Sequence, residues 1–578
     1  MKINNYILGI SDSHESGICL VKNKKVIFAI NEERISRLKN DQNFPEKSIK
    51  LALKKFKINT REISAVCVAG VSRESDNIPT NNNLTDNSNL IPFEISLLGN
   101  LSNYFIFKTI LKSNFFFYFF TVFFKIKLIK RKILIKKKLK NLNINSKKIF
   151  FFDHHLCHIF SAFSSSKFSN SLIISNDGMG DGLCSRIVFI KKNKITFLSK
   201  NSFYNSLAMI YGYCSDLCGF KKNHHNGKTT GISAIGNGYE VFAILKKIIK
   251  WNDKRGIYEN NEGVFTSSYN NIKKLLKKFN KFEIANGIQN LTDEIIVKQA
   301  KYFLKKLNTN NLCYAGGLHA NVLTNFKLRE NFKNKNIYIF PNMGDGGLSL
   351  GSCALGLYKL TKQIPKFKLK NMYLGDEYHD HEILNFLNDN KIRYEVSKNL
   401  EKDIAKFLSE KKIIALFNSR MEYGPRALGN RSILFHALDK KTNMYLNKKL
   451  NRTETMPFAP IFNLKNAKKL IKNFKQNDLI SCENMTMCVE ATDLMKKMAP
   501  AAVHVDNTIR PQVLSKKYNN FVYNILEQYN KLTSKYVLIN TSFNLHEEPI
   551  VRTPYEAYQS FKKAKLDILI LNKYILKR

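Results

Sequence analysis

The sequence predicts an α/β protein of two domains, about 1–362 and 372–578, with a duplicated lobe in the first and an α+β arrangement in the second. Three observations predict it. Short apolar runs bounded by Gly, Asn and Asp alternate with helical periodicity along the chain. One strand–turn–strand–turn–strand pattern returns about 165 residues after its first appearance. A polar, basic stretch carrying Pro365, Thr361–Asn371 (TKQIPKFKLKN), divides the chain. A length of 578 residues at 44% hydrophobic content suits two globular domains and excludes a disordered chain.

The first unit reads as strand Tyr6–Ile10, a polar turn, strand Gly17–Val21, a Lys/Asn turn and strand Lys25–Ile30. Its echo is Ser171–Asn176, the turn Asp177–Gly182 (DGMGDG), Ser185–Ile190, the turn Lys191–Asn193 and Lys194–Ser199. Both are hairpin units whose first turn is acidic and contains glycine. Duplicated lobes of this kind enclose a ligand cleft, as in sugar-kinase- and actin-type ATPase folds; a chance match of two hairpins is the competing reading. Helical spacing covers Glu46–Phe56, Glu294–Lys306 and Leu348–Leu360, and Lys148–Phe152 reads as a strand. Beyond the divide, Glu401–Glu410, Thr442–Asn451 and Asn519–Leu532 read as helices, with buried strands at Ile413–Phe417 and Tyr536–Ile539.

Charge narrows the function classes. There are 93 Lys plus Arg against 46 Asp plus Glu, a net +47 with a pI near 9.8. That balance suits a nucleic acid or a membrane surface. The excess, however, is 77 Lys against 16 Arg beside 67 Asn, inflated everywhere as an AT-rich coding bias would inflate it. A nucleic-acid partner is therefore not expected. The ten cysteines are scattered without a CxxC pair, so a reduced, cytoplasmic protein is expected. The early apolar run Tyr6–Ile10 is too short for a signal-peptide core. In Tyr104–Lys140, the ten residues Phe115–Phe124 (FFFYFFTVFF) precede the Lys-rich KIKLIKRKILIKKKLK. The run falls short of the roughly twenty residues that span a bilayer. A buried helix is the first reading, and peripheral attachment to a membrane interface is the second.

Asp153–His158 (DHHLCH) is the sharpest local signal. His154 and His158 are four apart, so on a helix both imidazoles share a face that His155 does not. Their anionic partners are expected at Asp177 and at Asp345, in the Gly-rich turn Asn342–Leu348 (NMGDGGL). Two His with one or two carboxylates and open positions suit Fe²⁺ better than a closed structural zinc; a structural His pair is the competing reading. Asn226–Gly238 (NGKTTGISAIGNG) and Ala315–Asn325 (AGGLHANVLTN) mark close backbone approaches to phosphate or sugar, although neither is a Walker A loop or a dinucleotide fingerprint. His14, in Ser11–Gly17 (SDSHESG), sits at the carboxyl end of the first strand, facing the same cleft.

Arginine concentrates in the second domain. Arg420, Arg426, Arg431, Arg452 and Arg510 are five of the 16 within about ninety residues, against the Lys-rich background. Guanidinium forks suit phosphate and carbonyl contacts, and an anion site is expected, with a structural network as the competing reading. Ser419–Ser432 (SRMEYGPRALGNRS) forms a loop after one buried strand, and Asn540–Asn544 (NTSFN) follows another.

These segments, with the PFAP of Pro457–Pro460, RPQV at Arg510–Val513 and NTSFNLHEEPIV at Asn540–Val551, resemble the nodulation-factor and antibiotic (tobramycin- and cephamycin-type) O-carbamoyltransferase family. The resemblance runs in order over nearly the whole chain. It implies an N-terminal metal-binding domain of the ASKHA (actin/sugar-kinase-like) type and a YrdC-like C-terminal domain. It implies ATP-dependent transfer of a carbamoyl group from carbamoyl phosphate, through carbamoyl-adenylate, to a hydroxyl of a small, sugar-containing acceptor. Carried across, His154, His158, Asp177 and Asp345 hold Fe²⁺, and His14 serves as general base. Lys39, Arg426, Lys449, Arg452, Arg510, Asn540 and Ser542 bind ATP, with Mg²⁺, and carbamoyl phosphate. Asp12, Gly316, Gly317 and Asn321 face the acceptor.

Three positions depart from the family pattern: Asn226 stands where an acidic residue is common, Met456 where an Arg is, and His319 where a small or apolar residue is. Two other functions use similar parts, a threonylcarbamoyl-adenosine tRNA-modifying enzyme and a non-catalytic nucleotide-binding scaffold. The acceptor's identity and the oligomeric state stay open, a homodimer among the options.

Overall fold

The computed structural model describes residues 5–71, 114–146, 148–221, 224–452 and 456–578, with backbone alone for 114–127. Strands β1 (Tyr6–Ser11), β2 (Gly17–Lys22), β3 (Lys25–Asn31), β4 (Ile63–Ala69) and β5 (Ile149–Phe152) form one sheet in the order β3-β2-β1-β4-β5. The three N-terminal strands pair antiparallel, and β4 and β5 continue parallel to β1. Strands β6 (Asn170–Gly180), β7 (Leu183–Lys191) and β8 (Lys194–Ser202) pair antiparallel in a second sheet. The hairpin β9 (Ile249–Asn252) and β10 (Ile257–Asn260) stands apart, and β11 (Asn311–Ala315) and β12 (Asn336–Ile339) complete the second sheet, parallel to β6. Its order, β8-β7-β6-β11-β12, and its senses of pairing repeat those of the first.

Two helices fill the space between these sheets. Leu348–Thr361 lies on β1, β2 and β4, and His154–Ser165 lies on β6 and β11; the two pack on each other. They cross where Gly351 meets the Cys157 carbonyl, a contact with no room for a Cβ. The crossing fixes where the His pair enters the cleft.

The C-terminal domain is built on an eight-stranded mixed sheet. It uses β13 (Glu395–Val396), β14 (Ile414–Phe417), β15 (Arg431–His436), β16 (Ala459–Asn463), β19 (Gln512–Leu514), β20 (Leu538–Ser542), β21 (Ile568–Leu571) and β22 (Tyr574–Lys577), in the order β13-β22-β21-β14-β15-β20-β16-β19. A separate pair, β17 (Val489–Glu490) and β18 (Thr508–Ile509), lies beside it. Helices Leu400–Ser409 and Asn520–Thr533 pack together over the sheet.

The stretch dividing the domains is a clamped strap. Phe367, Met372, Tyr373 and Leu374 are buried in a core cluster that also takes Ile7 from β1 and Ile414 from β14. Phe367 N donates to Ser164 O at 2.7 Å and Ala29 N to Leu374 O at 2.9 Å.

Elsewhere the structure redraws the expected elements. The expected Asp177–Gly182 turn shrinks to Asp181–Gly182, both at positive φ, because β6 runs on through a bulge between Asn176 and Gly180. The expected helix Glu294–Lys306 is the C-terminal half of Lys281–Leu304, which begins at a capping box on Asn280 and Glu283. The strand expected at Tyr536–Ile539 is Leu538–Ser542, so the first residues of NTSFN lie within the sheet. Residues 104–113 of the aromatic, Lys-rich stretch lie outside the described residues, and Asn114–Asn141 is one helix.

Candidate functional site

The helix His154–Ser165 starts under two carboxylates. Asp153 caps it by accepting from Leu156 N at 2.9 Å, and Asp181 accepts from His154 N at 2.8 Å. Gly180 lets β6 lie against the His154 ring where any Cβ would collide. The bulge swings Asp177 toward the helix, and Gly178 N donates to its Oδ1 at 2.7 Å. Asp345, at the start of the turn ahead of Leu348–Thr361, accepts from Ser13 Oγ through Oδ2 at 3.2 Å.

Four groups thereby converge. His158 Nε2 lies 2.8 Å from Asp177 Oδ2 and 3.1 Å from His154 Nε2. His154 Nε2 is 3.3 Å from Asp177 Oδ2, and each Nε2 is 3.4 Å from Asp345 Oδ1. Ligands about 2.1 Å from one ion stand about 3.0 Å apart at right angles and about 3.4 Å apart at tetrahedral angles. The cluster has this spacing, with two imidazoles and two carboxylates, a donor set that fits a divalent cation. Without a cation the carboxylates hold protons on the rings. Burial alone would lower His154, but Asp345 and Asp177 outweigh it and push it up to about 10. Burial opposes the ionised Asp177 too, yet the two rings hold it well below the usual carboxylate range. His155 lies outside the cluster as expected, bonded to Ser175 Oγ at 2.8 Å and Leu183 O at 3.0 Å, and burial keeps it neutral.

The turn after β1 closes the cleft. His14 is exposed, its Nδ1 3.3 Å from Gln42 Nε2. Beside it Glu15, at φ 51°, accepts from Gly346 N at 3.2 Å; burial and the nearby Glu33 and Asp345 raise its carboxyl to about 6. The sequence reading passed over Glu15, although an acidic neighbour of His14 at a strand end was the available signal. Asp12 is buried and bound to Arg131 Nη2 at 2.5 Å, so its charge is met inside the protein instead of facing an acceptor. Lys39 stands 3.6 Å from Glu33 and close enough to Glu15 to lower it.

The glycines expected at the acceptor shape the floor behind Asp177. Gly316, at φ 98°, presses on the Asn176 backbone, and a Cβ at Gly317 would stand 3.0 Å from Asp177 Oδ1. Asn321 caps Val322–Asn331 and donates to Gln289 Oε1 at 2.8 Å. His319 is fully buried against the Tyr314 ring, with Nε2 3.4 Å from Asn176 Nδ2, and burial lowers it to about 4. It packs beneath the metal-side residues, outside direct reach of an acceptor. The other two departures are neighbours: Met456 packs on Gly231 of the helix that Asn226 begins.

The five arginines separate by role. Arg420 donates to Ile27 O at 2.8 Å and Leu374 O at 2.6 Å, stapling the domains. Arg431 is wholly buried on the Phe417 ring and donates to Asn418, Ser419 and Asn430 carbonyls. These two make the structural network, so the expectation that the cluster as a whole serves anions is corrected. Arg452 clamps the NTSFN turn, reaching Thr541 Oγ1 at 2.7 Å, Ser542 Oγ at 3.0 Å and Asn544 O at 2.9 Å. Arg426 and Arg510 both lie near enough to the buried Cys488 thiol for their charge to lower it, while burial pushes it up to about 12. Asn540 donates to the carbonyl of Ala427, next to Arg426, at 3.1 Å and to Gln512 Oε1 at 2.6 Å. Lys449 reaches Lys565 O at 2.8 Å, away from the turn that Arg452 clamps.

The two centres share a wall. Tyr423, three residues from Arg426, donates its hydroxyl to Gly346 O at 2.6 Å, next to Asp345. Arg34 Nη2 reaches Gly424 O at 3.0 Å, and buried Glu422 gathers the N–H groups of Leu428, Asn430 and Arg431 to fix the loop.

Comparison with known proteins gives this arrangement a family. Residues 6–354 match the family description "Carbamoyltransferase N-terminus", and residues 405–578 match "Carbamoyltransferase C-terminus". MJ1051 of Methanocaldococcus jannaschii is 30% identical over 99% of both chains. The nodulation protein NolNO of Sinorhizobium fredii is 24% identical over 98% of this chain and 79% of its own length. Among solved structures, full-length HypF in its phosphate- and nucleotide-bound form aligns with TM-score 0.32 and 13% identity over 62% of this chain and 56% of that one. The chain belongs to the carbamoyltransferase family and is an O-carbamoyltransferase.

Proposed function

We propose that the chain runs two half-reactions. The C-terminal domain, of YrdC-like type, makes carbamoyl-adenylate from carbamoyl phosphate and ATP. The N-terminal domain, a duplicated ASKHA-like unit, passes the carbamoyl group to a hydroxyl of a small, sugar-containing acceptor. The observation that carries this reading is the Tyr423–Gly346 hydrogen bond of 2.6 Å, which ties the Arg426 loop to the Asp345 turn and so keeps the two half-reactions' residues side by side.

In the first half-reaction carbamoyl phosphate and water give carbamate and phosphate, and a carbamate oxygen displaces pyrophosphate from the α-phosphorus of ATP. Arg426 and Arg510 meet the phosphate charge, and a donor of this kind is worth about 10²–10³-fold. Arg452 and Asn540 act as positioning residues, because their donors hold the turn and loop that shape the pocket. Mg²⁺ accompanies ATP.

In the second, His154, His158, Asp177 and Asp345 hold Fe²⁺, which when bound supplies polarisation of a carbonyl oxygen. Ser13 and Gly178 N–H fix the two carboxylates. His14 serves as general base on the acceptor's hydroxyl, its ring held by Gln42 Nε2 at 3.3 Å from Nδ1. Lys39, at the mouth beside Glu33, offers a charge to the adenylate phosphate.

The test separates the half-reactions. Pyrophosphate should be released from ATP and carbamoyl phosphate without acceptor, and labelled carbamoyl should then enter an acceptor drawn from a host extract. Absence of acceptor-free pyrophosphate release would sink the two-site scheme.

A further inference from the structure

The helix Asn114–Asn141 carries a surface that the transfer chemistry does not use. Its inner stripe, Arg131, Ile135 and Leu139, recurs every four residues and is buried, the two apolar members in the core under the first sheet. On the opposite side Ile129 is 60% exposed and Ile133 65% exposed, among exposed Lys130, Lys136, Lys137 and Lys140. Between Glu94 and Asp153 the sequence has thirteen Lys plus Arg and no Asp or Glu. The same helix begins with the aromatic run Phe115–Phe124.

Its chemistry selects the partner. Lysines alone would suit any polyanion. Two large aliphatic side chains set among them gain nothing from a phosphodiester backbone, whereas a bilayer takes the charge at its headgroups and the isoleucines below them. Twenty-eight residues make a rod about 42 Å long that lies along a surface. No helix among the described residues is long and apolar enough to cross a membrane.

We propose that this outer face docks the enzyme on an anionic lipid bilayer, so that the transfer cleft works on hydroxyl acceptors held at the membrane surface. The docking stands on the helix alone, while the acceptor clause rests on the transfer reaction proposed above. The two are joined through the inner stripe. Arg131 Nη2 holds Asp12 Oδ1 at 2.5 Å and Ala69 O at 3.0 Å, and the next residue, Ser13, bonds Asp345 Oδ2 at 3.2 Å. A surface seated on the outer face is thus one helix thickness from the turn that carries His14.

The experiment is flotation of the full chain with phosphatidylcholine vesicles, with and without phosphatidylglycerol. Binding is expected only with phosphatidylglycerol, weakening with salt. Replacing Lys130, Lys136, Lys137 and Lys140 together by Glu should lower apparent affinity at least tenfold, and Ile129→Ser with Ile133→Ser should lower it several-fold. Acceptor-free pyrophosphate release should stay within twofold in both variants, which shows that they are folded. No binding to anionic vesicles, or binding indifferent to both variants, overturns the docking. Salt-sensitive tRNA binding lost in the Glu variant, without vesicle binding, reassigns the face to RNA. Vesicle binding with transfer only to water-soluble acceptors overturns the acceptor clause and leaves the docking intact.

Discussion

The metal-side residues and the clustered arginines are each picked out in the sequence by residue type, His with Asp in one and Arg in the other, and the structure treats them differently. The ligand atoms of all four members of the His/Asp set lie within 4.8 Å of one another. Of five clustered arginines, two staple backbone carbonyls and one clamps a turn, while Arg426 and Arg510 both act on the buried Cys488 thiol. The difference is chemical. A buried imidazole pair beside two carboxylates has few reasons to exist apart from sharing a proton or a cation. A guanidinium has five donors and serves backbone carbonyls as readily as phosphates, so density of Arg says little about which one binds substrate.

The sharpest way to break this comparison is to remove one member of each centre and follow both half-reactions. His158→Ala should cut carbamoyl transfer by about 10³-fold or more while pyrophosphate release stays within twofold. Equal loss of both would merge the centres into one. Arg426→Ala should do the reverse at its source, lowering pyrophosphate release by about 10²–10³-fold. Transfer from chemically supplied carbamoyl-adenylate should survive in that variant, and its loss would place Arg426 on the other side of the wall.

A third substitution sharpens the division among the arginines. Arg431→Met leaves the buried Asn430 carbonyl and the half-buried Asn418 carbonyl without this donor, which costs about 1–3 kcal/mol of stability. The urea midpoint should fall, and pyrophosphate release per folded molecule should hold. A selective loss of that activity at unchanged stability would return Arg431 to the substrate site.

The sequence was readable where local pattern and chemistry agree. Hairpin units, the His154/His158 face and the glycines that let backbones touch needed no tertiary information. What it hid was tertiary pairing. Asp12 reads as a cleft residue until Arg131 arrives from a helix more than a hundred residues away. Glu15 looks like a turn acid until Gly346 N–H donates to it beside Asp345, and Tyr423 looks like loop filler until its hydroxyl reaches the metal-side turn. The strap Thr361–Asn371 reads as a linker by composition, because its apolar residues Ile364, Phe367 and Leu369 are interspersed with lysines and only the fold shows Phe367 sunk in the core.

A last test asks whether the four-residue cluster behaves as an ion pair when stripped of metal. His154 is raised from 6.5 to about 10, so its stabilising contribution is complete below about pH 6.5 and is lost as pH rises through 10. Asp177 is lowered below its ordinary 3.8, so its share is complete above about pH 4 and is lost only as pH falls through the folded value. Chelated protein should therefore be most stable between about pH 4 and 6.5 at this site, then decline by at most about 1.4 kcal/mol per pH unit toward pH 10. A bound divalent cation reverses the trend, since it competes with protons for both Nε2 atoms and gains as they leave. Urea midpoints of chelated and Fe²⁺-loaded protein at pH 6 and 9 should diverge, the first falling and the second holding or rising. Parallel curves would mean that the cation, if bound, lies elsewhere, and the contrast between the two centres would lose its chemical basis.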